Sequence, residues 1–173
     1  MEIKNPKELF VLMLSDLRQH EERMTKIFQE LIRLAEDPDI KEALESRVFL
    51  ENQILGSLDQ CFKLIGEKPM KLTGRLHDIF VEDLHRELDE IKSPVARAFY
   101  ILAKAKHLAH FHMGEYSVLI AMADITGHYG VGTLLEAGLA DKQAFVERTR
   151  RRIRNMIESR IEEAAAVGGR SEK

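Results

Sequence analysis

The chain has 173 residues, enough for a single helical domain to bury a core, and its balance of 32% charged and 45% hydrophobic residues excludes a disordered or membrane-spanning chain. A formal net charge of -3 gives no overall attraction to nucleic acid, and the single cysteine, Cys61, forms no disulfide within the chain. Because the first residues lack the pattern of a signal peptide, we expect a cytoplasmic protein.

Few glycines and prolines and many leucine, alanine, glutamate and lysine residues predict a chain made of long helices. Three helices begin with the same signal, a capping side chain before a proline at the first helical position, at Asn5-Pro6, Asp37-Pro38 and Ser93-Pro94. The apolar residues that follow recur every three or four positions, as on one face of a helix. The predicted helices are α1 (6–36), α2 (38–65), α3 (76–91), α4 (94–126) and α5 (131–166).

The four long helices, α1, α2, α4 and α5, each have one apolar and one polar face, and such helices bury their apolar faces best as a four-helix bundle. The link between α2 and α4 has about 28 residues and carries the short helix α3. A connection of this length lets α2 and α4 run parallel, which is the connectivity of a ferritin-like bundle. We therefore expect a single all-α ferritin-like domain over residues 1–167 and a disordered tail over 168–173.

Polar residues interrupt the apolar faces near the middle of the long helices. The spacing places Glu21 on the inner face of α1, Glu51 on that of α2 and His112 on that of α4. In α5, Asp141 and Lys142 both lie on paths that lead toward the core. A buried carboxylate is costly unless it is paired with a cation or bound to a metal, so these side chains need partners.

Two interpretations of these polar residues are open. In the first, carboxylates and a histidine bind a pair of metal ions, and the candidate ligands are Glu21, Glu51, His112, Asp141 and Glu115. In the second, Arg47 and Lys142 neutralise the carboxylates in a cluster of ion pairs. Full di-metal sites carry two Glu-x-x-His pairs, and none of the four long helices contains one, which favours the ion pairs.

Three further patterns point to structure more than to chemistry. The histidines at 107, 110 and 112 cannot all face one way on a helix, which predicts a mixture of surface and hydrogen-bonded side chains. The arginines of 148–154 are spaced with glutamates for surface ion pairs, so we expect no nucleic-acid partner. Cys61 lies in an apolar stretch that predicts a buried, unreactive thiol. No role is predicted for the remaining helical histidines, His20, His77 and His85.

The pattern along the whole chain is similar to that of a known family. The residues that carry the resemblance are Glu8-Leu-Phe-Val-Leu-Met-Leu-Ser-Asp16 with Glu21, the hairpin Asp37-Pro-Asp-Ile-Lys-Glu-Ala-Leu, and the turn Gly127-His-Tyr-Gly130. Together with the helix order they resemble the YciE/YciF family of bacterial ferritin-like proteins linked to stress responses, over about residues 5–155. The resemblance implies a ferritin-like bundle with a di-iron-type site, and members that tend to dimerise.

The family's ligand positions are matched unevenly in the first two helices. Glu21 matches the family's glutamate in α1. The usual His-x-x-Glu of α2 falls on Arg47 and Leu50, neither of which can play that part, and Glu51 is the next residue. The resemblance thus carries one ligand position over unchanged in this half of the chain.

The match departs further from the family in α4 and α5. The family's glutamates in α4 fall on Ala109 and His112, while His110 matches a histidine. The usual Glu-Glu of α5 falls on Asp141 and Lys142. Carboxylate ligands are therefore lost, and positive charge stands where the resemblance implies metal ions.

We therefore expect a stress-associated ferritin-like homodimer with a structural or interaction role and no bound cofactor. Its centre is expected to be metal-free, with Arg47 and Lys142 replacing the charge of the metal ions. The alternative is an enzyme, namely a di-metal oxidase, peroxidase or iron-handling protein that uses iron or manganese. The candidate metal ligands of that alternative are Glu21, Glu51, His112 and Asp141.

Overall fold

The computed structural model describes residues 2–72 and 75–168, with side chains up to residue 159. These residues form five helices, α1 (Pro6–Leu34), α2 (Pro38–Ile65), α3 (Arg75–Glu90), α4 (Pro94–Ile125) and α5 (Tyr129–Gly168). Every predicted helix is present, and each end agrees with its predicted position within two residues. Of the predicted disordered tail, Gly168 belongs to α5, and 169–173 lie outside the described residues.

The predicted capping signals set the beginnings of the long helices. Asn5, Asp37 and Ser93 each accept a hydrogen bond from a backbone N–H of the first turn, and each is followed by proline. The end of α2 is equally specific, because Gly66 adopts a φ of 69°, in the left-handed region that favours glycine. The turn between α4 and α5 uses Gly127 in the same way, with a φ of 76°.

Two apolar clusters at opposite ends of the bundle show the directions of its helices. The first cluster joins earlier residues of α1 and α5 to later residues of α2 and α4, and includes Leu14, Leu58, Leu119 and Leu135. The second joins later residues of α1 and α5 to earlier residues of α2 and α4, and includes Phe28, Leu44, Leu102 and Phe145. Helices α2 and α4 therefore run parallel, as the long link predicts, and the fold is a ferritin-like four-helix bundle.

Helix α3 lies outside the four-helix core, against α1 and α4. Its residues Leu84 and Leu88 are buried in the second apolar cluster, and His77 is also buried. An ion pair between Arg23 and Asp78, with 2.5 Å between Nη1 and Oδ1, further ties α3 to α1. The crossover helix thus covers the seam between α1 and α4 beside the middle of the bundle. None of the five helices, over the described residues, has the length and apolar character needed to cross a membrane.

Candidate functional site

A buried group of charged side chains separates the two apolar clusters at the middle of the bundle. It consists of Glu21 from α1, Arg47 and Glu51 from α2, and Lys142 from α5. We call these four residues the central charge cluster. Each takes a position in the apolar stripe of its helix, so the same periodicity that buries leucines above and below also buries these charges.

The central charge cluster is connected through Lys142 and Arg47. The Nζ atom of Lys142 lies 2.8 Å from Glu21 Oε2 and 3.5 Å from both carboxylate oxygens of Glu51. The Nε atom of Arg47 donates a hydrogen bond of 2.7 Å to Glu51 Oε1, and its Nη2 atom lies 2.5 Å from the same oxygen. Two acids thus face two bases, and their formal charges cancel within the core.

Burial and charge act in opposite directions on the carboxylate of Glu51. Burial raises the pKa of Glu51 above its ordinary value, Lys142 lowers it, and the charge of Glu21 raises it again, with a raised pKa as the net result. The ring of Tyr116 completes this layer, with its centroid 5.9 Å from Lys142 Nζ, and burial raises the pKa of its hydroxyl. The layer is therefore shielded from solvent, and each charge in it depends on its partner.

The structure corrects the expectation for Asp141. Its side chain is exposed, and only its backbone carbonyl reaches the cluster, where it accepts a 3.5 Å hydrogen bond from Arg47 Nη1. Successive helical residues are rotated by about 100°, so the inward position of Lys142 turns its neighbour away from the core. In α2 the same rule places Glu51 in the core, while Leu50 is half-buried. Glu21, Glu51 and His112 are brought together as predicted.

A second polar group lies beside the first, toward α3. It consists of His20 from α1, His77 from α3, and His112 and Glu115 from α4, and we call it the histidine cluster. The Nε2 atom of fully buried His112 lies 3.2 Å from Nε2 of His77. Its Nδ1 atom lies 3.4 Å from Glu21 Oε1, which is the contact between the two clusters.

The other half of the histidine cluster is built on His20. Its Nδ1 atom lies 2.7 Å from Glu115 Oε1, and its Nε2 atom lies 3.3 Å from Asp16 Oδ1. One ligand atom from each of His20, His112 and Glu115 can be chosen so that all three lie within 4.8 Å of one another. Such a spacing is compatible with a shared metal ion.

Protonation differs among the three histidines. Burial lowers the pKa of His77 to about 3 and that of His112 to about 3, and the charge of Lys142 adds to the effect at His112. Burial also lowers the pKa of His20, but the hydrogen bond and charge of Glu115 outweigh it and leave a raised pKa. His77 and His112 are therefore neutral at physiological pH, and each ring has one donor and one acceptor nitrogen.

The comparison with known proteins decides the family. The sequence profile of a family described as a domain of unknown function (DUF892) matches residues 5–166. This chain belongs to the DUF892 family. Protein YciF of Escherichia coli K12 is 22% identical over 148 residues, which cover 83% of this chain and 87% of that protein. The resemblance to the YciE/YciF family is thereby confirmed.

Solved structures show the same fold as this DUF892 protein. The crystal structure of the E. coli stress protein YciF has a TM-score of 0.83 and 18% identity, over 90% of this chain and 99% of that one. YcfI of Rhodopseudomonas palustris, a proposed structural protein, has a TM-score of 0.81 and 25% identity, over 86% and 95%. A protein of Xanthomonas campestris has a TM-score of 0.70 and 14% identity, over 93% and 99%.

Sequence reasoning about this DUF892 chain missed half of the histidine cluster. No role was predicted for His20 or His77, although His77 precedes Leu84 by seven residues and so continues the buried stripe of α3. A histidine in an apolar stripe was the available signal. The missing information was the register of α3 against the bundle, because a crossover helix is not fixed by the packing of the other four.

The structure also bears on two expectations about the rest of this DUF892 chain. Glu147 lies 3.4 Å from Arg150 and 3.7 Å from Arg151, which confirms surface ion pairs for these two of the arginines in 148–154. Cys61 is buried, and burial raises the pKa of its thiol to about 11, which keeps it in the unreactive thiol form.

Proposed function

We propose that this protein is a non-catalytic member of its family, with a structural or interaction role in a stress response. In this proposal the bundle centre is balanced by its own side chains and holds no metal. One observation carries the proposal: the ammonium group of Lys142 is 2.8 Å from Glu21 and 3.5 Å from Glu51, with all three side chains fully buried. The description of E. coli YciF as a stress protein and of YcfI as a proposed structural protein supports the assignment of role.

The residues at the centre do not fit the di-metal group that the resemblance implies. Metal ions in such sites are held by several carboxylates and histidines from all four helices. Here an ammonium group already lies against both central carboxylates, and the side chain of Asp141 is exposed. Leu50 and Ala109, at two further family positions, have no ligand atom. These features support a metal-free centre over the oxidase alternative.

The proposal includes a cytoplasmic homodimer as the working form. Sedimentation of the purified protein tests this part, with a single species of twice the chain mass expected. A monomer at all concentrations used would contradict the dimer and leave the chemistry of the centre unaffected.

Ferrous ion is the direct probe of catalysis at the centre. Protein treated with chelator is mixed with ferrous ion in air, and oxygen consumption and the ferric absorbance are followed. We expect the same rates with the wild-type protein and with Glu51→Gln, because the centre does not take part in oxidation. The matched control is Asp141→Asn, which changes an exposed carboxylate at a position that the resemblance aligns with a ligand.

One result would overturn the proposal. If the wild-type protein binds two iron ions per chain, accelerates ferrous oxidation, and loses both properties in Glu51→Gln but not in Asp141→Asn, the centre is a di-metal site. Circular dichroism of each variant verifies that the fold is retained, so that a loss of iron is assigned to the ligand and not to unfolding.

A further inference from the structure

The histidine cluster brings together several side chains of the kinds that bind metal ions in proteins. Three imidazoles and a carboxylate converge where α1, α3 and α4 meet, outside the central charge cluster. The ring centroids of His20 and His77 are 4.6 Å apart, and those of His77 and His112 are 5.4 Å apart. Leucines at these positions would pack without any demand for hydrogen bonds, so the grouping calls for another explanation.

Two of the rings have a carboxylate close to the nitrogen on the side away from the cluster. Asp16 lies 3.3 Å from Nε2 of His20, which leaves Nδ1 of that ring facing Glu115. Glu21 lies 3.4 Å from Nδ1 of His112, which leaves Nε2 facing His77. Metal-binding histidines in proteins usually donate a hydrogen bond from the other ring nitrogen to a carboxylate or carbonyl, and Asp16 and Glu21 lie close to the nitrogens that would donate it.

The buried polar atoms of the cluster are incompletely satisfied. Among the described residues, Nδ1 of His77, Nδ1 of His112 and Oε2 of Glu115 are buried without a hydrogen-bond partner. The two Nε2 atoms of His77 and His112 face each other at 3.2 Å, where one neutral ring donates a hydrogen bond and the other accepts it. A metal ion bound by both nitrogens would take the place of the proton that they share.

We propose that His20, His112 and Glu115, with His77 as the fourth ligand, bind one divalent transition-metal ion, for which zinc is the best match. Zinc prefers four ligands in a tetrahedron with imidazole nitrogen and carboxylate oxygen donors. Bonds of about 2.0–2.1 Å in that geometry place the ligand atoms roughly 3.4 Å apart. The 3.2 Å between the His77 and His112 nitrogens is close to this separation, whereas the 2.7 Å between His20 and Glu115 has to widen. The atoms of His20, His112 and Glu115 lie within 4.8 Å of one another, and His77 has to move closer to His20 and Glu115 to complete the tetrahedron.

The site would act as a clip for the crossover helix. His77 is the ligand from α3, and the other three come from α1 and α4. A zinc ion would therefore attach helix α3 to the middle of the bundle. This would hold whether or not the central charge cluster binds metal. This proposal goes beyond the proposed function, which concerns Glu21, Glu51, Arg47 and Lys142.

Titration of the full chain with metal tests the clip. Protein treated with chelator is titrated with zinc by calorimetry and with cobalt(II) by visible absorption. We expect one ion per chain and the intense visible bands of tetrahedral cobalt(II). Zinc is also expected to raise the melting temperature and to slow proteolysis of the segment around α3, since ligands that bind only the folded state stabilise it.

Variants locate the ion. His77→Ala and Glu115→Gln are each expected to lower zinc affinity at least about tenfold, the scale of the effect of perturbing a metal site, and His77→Ala to remove the protection of α3. The matched controls are His107→Ala and His110→Ala, which remove exposed histidines from the same helix α4 and should leave affinity unchanged. Binding that is lost in these controls, or unaffected by His77→Ala and Glu115→Gln together, would overturn the site.

Glu51→Gln separates this proposal from the proposed function. If zinc binding survives Glu51→Gln and is lost in His77→Ala, the clip is supported and the centre remains without metal. If the protein binds no zinc or cobalt at all, the clip is wrong while the charge-balanced centre stands. If Glu51→Gln removes the ion and His77→Ala does not, the ion is in the bundle centre and both proposals fail.

Discussion

The central charge cluster and the histidine cluster lie at the same level of one bundle and meet at Glu21 and His112, yet they satisfy their buried polar atoms in different ways. The first pairs two acids with two bases at 2.5–3.5 Å. The second brings together bases that are largely neutral, with one carboxylate. A core can thus be filled by complementary charges on one side and by neutral imidazoles on the other.

The difference follows from which helices supply the residues. Lys142 reaches the centre from α5, at a position that the resemblance aligns with a carboxylate. His77 comes from α3 and faces His112 of α4, with 3.2 Å between their Nε2 atoms. The central charge cluster is formed by residues of the four-helix core. The histidine cluster also requires that α3 pack against α1 and α4.

Removing the central ammonium is expected to have the largest effect on stability. Lys142→Met leaves two buried carboxylates facing one arginine, and breaking a buried pair in this way costs about 3–5 kcal/mol of unfolding free energy. Adding Glu21→Gln to this variant restores a balanced charge with Glu51 and Arg47. The double variant is therefore expected to be more stable than the sum of the two single losses, by about 1–3 kcal/mol. Urea denaturation of all four proteins gives the coupling energy.

The control for this cycle is Lys142→Met combined with Asp141→Asn. Because the side chain of Asp141 is exposed, its loss should add to that of Lys142 with no coupling. The opposite result would be a coupling energy between Lys142 and Asp141 and additive losses of stability for Lys142 and Glu21. It would show that Lys142 is paired with Asp141 at the surface, and the proposal of a charge-balanced centre would be wrong.

Acid is expected to act in opposite directions on the two regions. The pKa of Glu51 is raised above 4.5, so the folded state binds its proton more tightly, and this stabilising contribution is lost as pH rises through the raised value. The pKa of His77 is lowered from 6.5 to about 3, so its contribution is present above pH 6.5 and is lost as pH falls toward 3. Acidification thus weakens the histidine region and strengthens the ionic one.

The measurement is the free energy of unfolding of chelator-treated protein at pH 6.5 and at pH 4.5. His77→Gln is expected to reduce the loss between these values by about 2–3 kcal/mol, since one proton contributes about 1.4 kcal/mol per pH unit. Glu51→Gln should instead make the loss larger. The control is His110→Gln, an exposed histidine. Equal pH dependence of the wild-type protein and His77→Gln would show that His77 is protonated normally in the folded state.

The two regions also differ in how far the sequence predicts them. Helix ends were predicted within two residues because proline, capping side chains and glycine act locally. Glu21, Glu51 and Lys142 were predicted to face inward because each falls on a regular apolar stripe. The prediction that Asp141 faces the core was wrong. Two neighbouring paths along α5 are almost equally apolar, and only packing selects between them. His77 acquires its contact with His112 through the docking of α3, whereas His20 acquires its contact with Glu115 through the packing of α1 against α4. Neither packing arrangement is encoded by a local pattern.

The smallest expected changes in stability test how tightly the two sides of the bundle are packed. A Cβ added at Gly138 would lie 2.8 Å from Cε1 of Tyr116, a side chain that is 1% exposed and cannot move aside. Gly138→Ala is therefore expected to cost about 1–3 kcal/mol of unfolding free energy, as overpacking does in tight cores. Gly114, between His112 and Glu115 on α4, has no atom within 4 Å of an added Cβ, so Gly114→Ala should stabilise the protein by about 0.5–1 kcal/mol through its helix propensity. Thermal or urea unfolding is expected to show a loss of stability for Gly138→Ala and a gain for Gly114→Ala, because the layer around Tyr116 is tightly packed and the surface beside the histidine cluster has room. A loss of stability in both variants would contradict this difference in packing.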